Sequence, residues 1–565
     1  MNQDLYNHGI ITPSLSAPPT PWVRNPEWLA MPTVLPTENK IVMLVRINND
    51  TANYLAFTIG CLGGYSVDWG DGTSVNTATG VASYKRYDYA SVPGSPTTDG
   101  YKQVLVTITP TAPPNNFSSV ALNTKHNLVT GNGNYDGGIL DLIISAPLCG
   151  GTLAIAGVNY GTVYFRYLER ALILSSAVTS YQGVFANLLV LRSCSITSSA
   201  TVTSMSSMFS NCRLITDIPT NLPFSTVTDI NSMFSSCRAL QYCPPIELNQ
   251  PSVIASSIFN KCYNLKNAPF TPSSWDKLST LASAFSNCIS LQQVPSFTAT
   301  NITSLSSAFS SCSALVSVGD ITSSSKLTDV TSCFNGCNAL QKLPLISDTS
   351  AVTTFATFAQ GCFNITYIPS YNTSNVTSFS SAFSQCYKVK SFPTLNYTKC
   401  TNASAMFQEC TFEKTGPIDF GTTTTGTINL SSMFRNSFTS DSGVVEIGPI
   451  SIPSTATSIT VNLLANNNVM VKSVNIDCTK VIAATGIANI FTATGCSLAS
   501  VILTGLRFGG FSIIGAMDAP ALVALFTSLG TASGAQTLTV SANWGWASLT
   551  AGEKAIATGK GWTLA

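Results

Sequence analysis

The chain has 565 residues, with 27 Lys plus Arg against 26 Asp plus Glu, only two His, and 17 Cys. That length exceeds what a single ordinary hydrophobic core organises, so several domains or a repeat array are required. Charged residues make up 9% of the chain and no basic block occurs, which argues against nucleic-acid binding through phosphate neutralisation and leaves Ser, Thr and Asn as the solubilising groups.

Residues 1–40 hold many Pro, Asn and Ser and little periodic apolar content. They read as an extended docking arm ordered by a partner. The opening MNQDLYNHGIITPSLSAPPTPW has neither a basic start nor an apolar stretch, so no secretion signal is expected there. Mean hydropathy is positive, at +0.26. The two most apolar windows, Ile139–Val158 and Gly505–Phe526, are nevertheless broken by Asp141, Pro147, Arg507, Asp518 and Pro520, so no membrane insertion is expected.

Residues 41–115 contain YSVDWGDGT at Tyr65–Thr73, then YKRYDYASVPG and YKQVLVTITP. Trp69 suits the core of a two-sheet domain, and Asp71-Gly72 suits a tight turn. This stretch resembles the PKD-type immunoglobulin-like β-sandwich, with extra Gly, Ser and Pro before its last strand. Asp68 and Asp71 read as a structural turn; calcium there is the alternative, without the spaced carboxylates of an EF-hand loop. Residues 116–180 read as a connecting segment and divergent first repeats, with strands at ILDLIISA and ERALILSS.

Residues 181–440 repeat. Cys212, Cys237, Cys262, Cys288, Cys312, Cys337, Cys362, Cys386 and Cys410 recur every 24 to 26 residues. A Phe stands three residues before each, except at Ala359, and a Pro seven residues after each, except at Gly319. Val202, Met205, Phe209 and Cys212 have the spacing of one helix face, and Ile215 and Ile218 lead into Pro219 as a short strand. Each repeat therefore predicts one short strand and one short helix, which bury their apolar faces only by stacking on neighbours. The pattern MFxxCxxLxxIP resembles the BspA-like leucine-rich repeats of bacterial surface proteins. The resemblance implies an α/β solenoid with a parallel strand ladder following the β-sandwich of a multidomain chain. Residues 441–565 read as divergent repeats and a C-terminal cap, with strands at VKSVNIDC, LASVILTG and AQTLTVSA; the ending resembles C-terminal repeats of phage structural proteins.

The cysteine column reads as core filler, ahead of scattered disulfides or a metal array. A serine in it is expected to place a hydroxyl in an apolar column. No cofactor is implied: zinc ligand sets, a phosphate loop and a dinucleotide fingerprint are missing from the sequence. His8 and His126 are far from any nucleophile, and a hydrolytic tailspike would need a carboxylate pair that cannot be placed, so no enzyme is expected. Between the inward residues of each strand lie Gln241, Tyr242, Lys266, Asn267, Gln292, Gln293, Gln341, Lys342, Tyr367 and Lys390. They form a candidate ligand-contact face, suited to host-surface glycan or protein. The expectation is a multicopy structural or adhesive protein of a phage virion, held on other virion proteins by its N-terminal arm. A cellular surface adhesin of the BspA-like kind is the alternative.

Overall fold

A computed structural model of the chain describes residues 22–565, apart from 50–52, 113–114, 130–134, 156–162, 199, 412–415, 422–425, 436, 438–444, 453–455, 461–470, 480–498, 509–510 and 514. Two compact units are present, interleaved in sequence between 179 and 222.

The first unit is an N-terminal β-domain. Its strands are β1 (Lys40–Ile47), β2 (Asn53–Cys61), β3 (Tyr65–Asp68), β4 (Ser74–Thr77), β5 (Ala82–Tyr87), β6 (Lys102–Pro110), β7 (Phe117–Ala121), β8 (Tyr135–Asp136), β9 (Ile139–Ala146), β10 (Leu153–Ala154), β11 (Val163–Tyr164), β12 (Arg170–Ser176) and β13 (Ser193–Ile196). One sheet has the order β13-β12-β9-β1-β6-β3-β4 and a second β10-β7-β2-β5. Alternation sends Phe57 and Ile59 of β2 and Tyr65 and Val67 of β3 into the core, where Trp69 lies 5.6 Å from Phe57. The boundary expected at 115 falls inside this system, since β7 pairs with β2 beyond it.

β9 is the hinge of the topology. It runs antiparallel to β1 but parallel to β12, which runs parallel to β13. All eight of its residues are buried, Asp141 included. That carboxylate is held by Arg170 at 2.6 Å and by Arg24 at 3.1 Å. The segment expected to be a free arm is therefore partly integrated. Trp28 is buried against Leu44, Tyr101 and Leu140, and Trp22 donates its indole N–H to Glu169 at 3.0 Å. Residues 1–21 of that arm lie outside the described residues.

The second unit is a parallel β-solenoid. One column of parallel bridges runs Ser204–Asp229–Ile254, with Ser304–Asp329–Thr354–Ser378–Asn402 continuing the same position further along. Others join Gln293–Val294 to Ser317–Val318, and Phe297–Thr298 to Ile321–Thr322. The short helix expected in every repeat is absent from the described repeats. Between 201 and 411 the helical turns are the short α-helix Pro272–Trp275, which lies after the proline column, and a 3-10 turn at Phe224–Thr226. The MFxxC stretch is instead a chain of turns. Met208 and Ser210 donate back three residues, to Met205 and Ser207. The residues between them donate to the next coil: Ser207 to Asn231, Phe209 to Met233 and Asn211 to Ser235, at 2.7–2.8 Å. Turns closed over three residues reproduce the three-and-four spacing of a helix, so the inward face was legible while the backbone was not. Val202, Met205, Phe209 and Cys212 are all fully buried.

This backbone demands left-handed residues five and one before each cysteine. Ser207 has φ 54° and Asn211 φ 63°, and the same two places recur through Ala405 and Glu409. Ser and Asn tolerate this region because their side chains bond locally. A turn-initiating acceptor also recurs: Asp229, Asp329 and Asn402 each accept from the amide two residues on. These two needs account for much of the Ser, Thr and Asn content.

The phenylalanines form an internal column. Neighbouring rings from Phe209 to Phe334 stack at 5.4–5.6 Å, tilted by 3° to 21°. At Ala359 the gap is filled by Phe358, edge-on to Phe334 at 5.5 Å. Beside that column, each cysteine donates its S–H to the carbonyl at the phenylalanine position of the preceding coil, as Cys312 does to Phe285 at 3.1 Å and Cys337 to Phe309 at 3.1 Å. The column therefore offers an acceptor at each rung. One rung further, Ser437 takes the same place and donates to Phe407 at 2.5 Å, so a hydroxyl is not orphaned there, contrary to expectation. All described cysteines are free thiols. Burial pushes Cys312 up to about 12, against the hydrogen bonding from Cys288, so almost no thiolate forms at neutral pH.

Helix-plus-strand units do occur, at the C-terminal end. Helix Ala519–Ser528 precedes strand Gln536–Thr539, and helix Ala551–Thr558 precedes strand Trp562–Leu564. Asp518 caps the first helix, and Thr550 and Glu553 form a capping box on the second. VKSVNIDC and LASVILTG supply parallel strands Val471–Asp477 and Ser500–Thr504, as expected of late repeats.

Candidate ligand-binding face

The strand before each proline places one residue inward and its neighbours outward. Leu240 and Cys243, Leu291 and Val294, and Leu340 and Leu343 are buried. Between them, backbone pairing stacks Gln241 under Lys266, and Gln292 under Val316, Gln341 and Thr366. A second column joins Gln293 to Ser317, and Lys342 to Tyr367. Lys390 follows Thr366 by one repeat length.

The ten expected residues share the face but not a common state. Tyr242 is 55% and Tyr367 60% exposed, and Lys266, Gln292, Gln293, Gln341, Lys342 and Lys390 are also exposed. At one end the polar groups are spent on each other. Lys266 donates to Gln241 at 3.1 Å and lies 5.5 Å from the Tyr242 ring. Asn267 is stitched by both amide atoms to the backbone of Cys243, at 3.0 and 3.2 Å, which removes it from ligand contact.

Two features of the surface were missed by residue-by-residue reading. Tyr387 stacks on Phe363 at 5.2 Å and lies 3.4 Å from Glu409. Burial, then the Glu409 charge, raises the Tyr387 hydroxyl. The second is a depression of about 450 Å³ around Gly319, on the strand face itself. Its signal in the sequence was the break in the proline column.

The tight turn of the N-terminal domain behaves as a structural turn. Asp68 accepts from the amide of Gly70, while Asp71 binds Thr73 and lies 2.5 Å from Lys85. Burial opposes ionisation of Asp71, but Lys85 and Thr73 outweigh it and lower its pKa. His126 is buried among Tyr54, Tyr84 and Tyr135. Among the described residues no cluster of three or more His, Cys, Asp or Glu could hold a metal, and no helix is long and apolar enough to cross a membrane.

A family model described as "Mycoplasma protein of unknown function, DUF285" matches residues 175–270, 253–347 and 328–444. No curated protein matches the chain. Over these residues the chain is a repeat protein of parallel coils, similar to that family.

Proposed function

We propose that the protein is a non-enzymatic attachment or structural component that uses its solenoid strand face to bind a host-surface glycan or protein. The observation that carries this reading is the pair of outward columns. Lys266, Gln292, Gln341, Lys342 and Tyr367 are held on a hydrogen-bonded parallel backbone, with exposed Tyr242 and Lys390 at the matching positions of other repeats, an arrangement that suits many weak contacts made together. The N-terminal β-domain is then a spacer of PKD or immunoglobulin-like kind, and residues 1–21 are the docking segment.

For placement, the preferred reading is a phage virion, as a fibre, tail-associated or capsid-decorating component in many copies. Buried, reduced cysteines favour it, because such a particle assembles in a reducing compartment. A cellular surface adhesin is the second reading, favoured by the similarity to a family described from Mycoplasma.

Replacing Tyr242, Lys266, Tyr367 and Lys390 together by Ala tests the face. The variant should melt like the parent and lose most binding in a glycan-array and cell-adsorption assay; undiminished binding refutes the reading. Mass spectrometry of purified particles against the cell-envelope fraction separates the two placements. Deleting residues 1–21 should leave the fold intact and abolish incorporation into particles.

A further inference from the structure

We infer that the depression at Gly319 is a saccharide subsite that fixes the register of a ligand along the strand face; this rests on the binding role proposed for that face. In the other repeats a proline follows the strand. Here Gly319 approaches the preceding coil so closely that an added Cβ would lie 2.3 Å from the Ser296 amide nitrogen. The Gly319 N–H meanwhile donates to Val294 at 2.9 Å, a bond that proline could not make. Small residues at Ser296, Ser317 and Gly319 leave a hollow between the longer side chains of Gln293 and Lys342, with Asp320 on its rim.

The chemistry of that hollow points to a hydroxyl-rich ligand. Its volume lies in the range of small-molecule sites. Val294 and Val318 keep their side chains in the interior, and the apolar surface of the hollow is the exposed ring of Pro295, which suits the C–H face of a sugar ring. Around it stand an amide, two hydroxyls, a carboxylate and an ammonium. Only one atom of these side chains is engaged: Asp320 Oδ1 accepts from Leu345 at 3.0 Å. Asp320 and Lys342 line the same hollow without forming an ion pair. By contrast, Asn267 has both amide atoms engaged by the Cys243 backbone, and Lys266 gives one of its three donors to Gln241. Donors and acceptors of both kinds, left unspent around one hollow, fit vicinal hydroxyls, each of which both donates and accepts. An acidic or an amino sugar would add an ion pair to Lys342 or Asp320.

The probe is a panel of free hexoses, hexosamines and hexuronates, read by saturation-transfer NMR on the full chain. At least one class should receive saturation. Asp320→Asn, which preserves the acceptor for Leu345, should weaken it about tenfold. Ser317→Tyr, which fills the hollow from a half-buried strand position, should abolish it. The fourfold face variant should retain monosaccharide binding, because none of its positions lines the hollow. No transfer to any class, or transfer undiminished in Asp320→Asn, overturns the subsite. Loss of glycan-array binding in the fourfold variant with no monosaccharide signal would uphold the face and reject the subsite.

Discussion

The N-terminal domain and the repeat coils solve the same problem with different chemistry. Both pair strands around an apolar interior, largely antiparallel in the domain and parallel in the coils, and both place a polar group inside it. In the domain it is a charge: Asp141, fully buried, answered by Arg170 from β12 and Arg24 from the N-terminal segment. In the coils it is a neutral S–H on a carbonyl, renewed once per coil. A buried ion cluster is costly to break and depends on distant parts of the chain meeting. A thiol bond is worth little individually, and its loss leaves a carbonyl that still accepts a backbone amide, as Phe285 does from Cys288. The domain should thus fail through single residues, and the coils only through their packing.

The largest effect should come from removing residues 1–39. That leaves Asp141 with one partner and strips Trp28 from Leu44, Tyr101 and Leu140, together costing about 5 kcal/mol or more. A urea titration followed by tryptophan fluorescence should show the domain unfolding early. A midpoint like the parent's would mean the segment is dispensable, and the contrast drawn above would collapse. Next, Phe309→Ala should cost roughly 3–5 kcal/mol, because it opens the aromatic column between Phe285 and Phe334.

Smaller effects sharpen the thiol side. Cys312→Ala should cost about 1–2 kcal/mol, and Cys312→Ser less than about 1, since the serine inherits the Phe285 acceptor as Ser437 does that of Phe407. A serine variant less stable than the alanine one would show that the column is apolar rather than hydrogen-bonded. The native thiols should also resist a thiol reagent until urea unfolds the coils. In the domain, Asp71 titrates below its ordinary value, so its contribution is complete above the unfolded carboxylate pKa, about 4, and is lost as pH falls through the lowered folded value. Melting curves of the parent and Asp71→Asn should differ at pH 6 and converge at about pH 2. The smallest effect belongs to Gly336→Ser: this φ 72° position is filled by Ser236 and Ser311 in other coils, so the change should stay within about 1 kcal/mol.

How much of this was legible depended on what the sequence signal encodes. Spacing reports burial, so the Phe and Cys columns could be read without error about which residues point inward. It does not report backbone. Met205, Phe209 and Cys212 satisfy a helix and a chain of three-residue turns equally well, and intercoil bonds such as Phe209 to Met233 decided for turns. The helix expected throughout appears instead where capping residues are plain, at Asp518 and at Thr550 with Glu553. The N-terminal segment misled for another reason. Its apolar residues, Trp22, Trp28 and Met31, obey no period, because they fit a surface made by β1, β6 and β9 that local sequence cannot describe. On the candidate face, outward position was readable, but whether a side chain was already spent was not; Asn267 and Lys266 look alike in sequence and differ in space.

The left-handed residues of the coils have a consequence for how the molecule is made. Ser207, Asn211 and their equivalents adopt a conformation that a free chain visits rarely, and bonds to the adjoining coil hold it there. A solitary coil therefore has little to gain from its native shape. Growth should proceed as templating, each new coil copying the one already formed, with a slow first step and rapid addition afterwards. An interruption midway would leave an exposed growing end able to accept a coil from another chain, so assembly errors should take the form of exchange between neighbouring molecules rather than local misfolding.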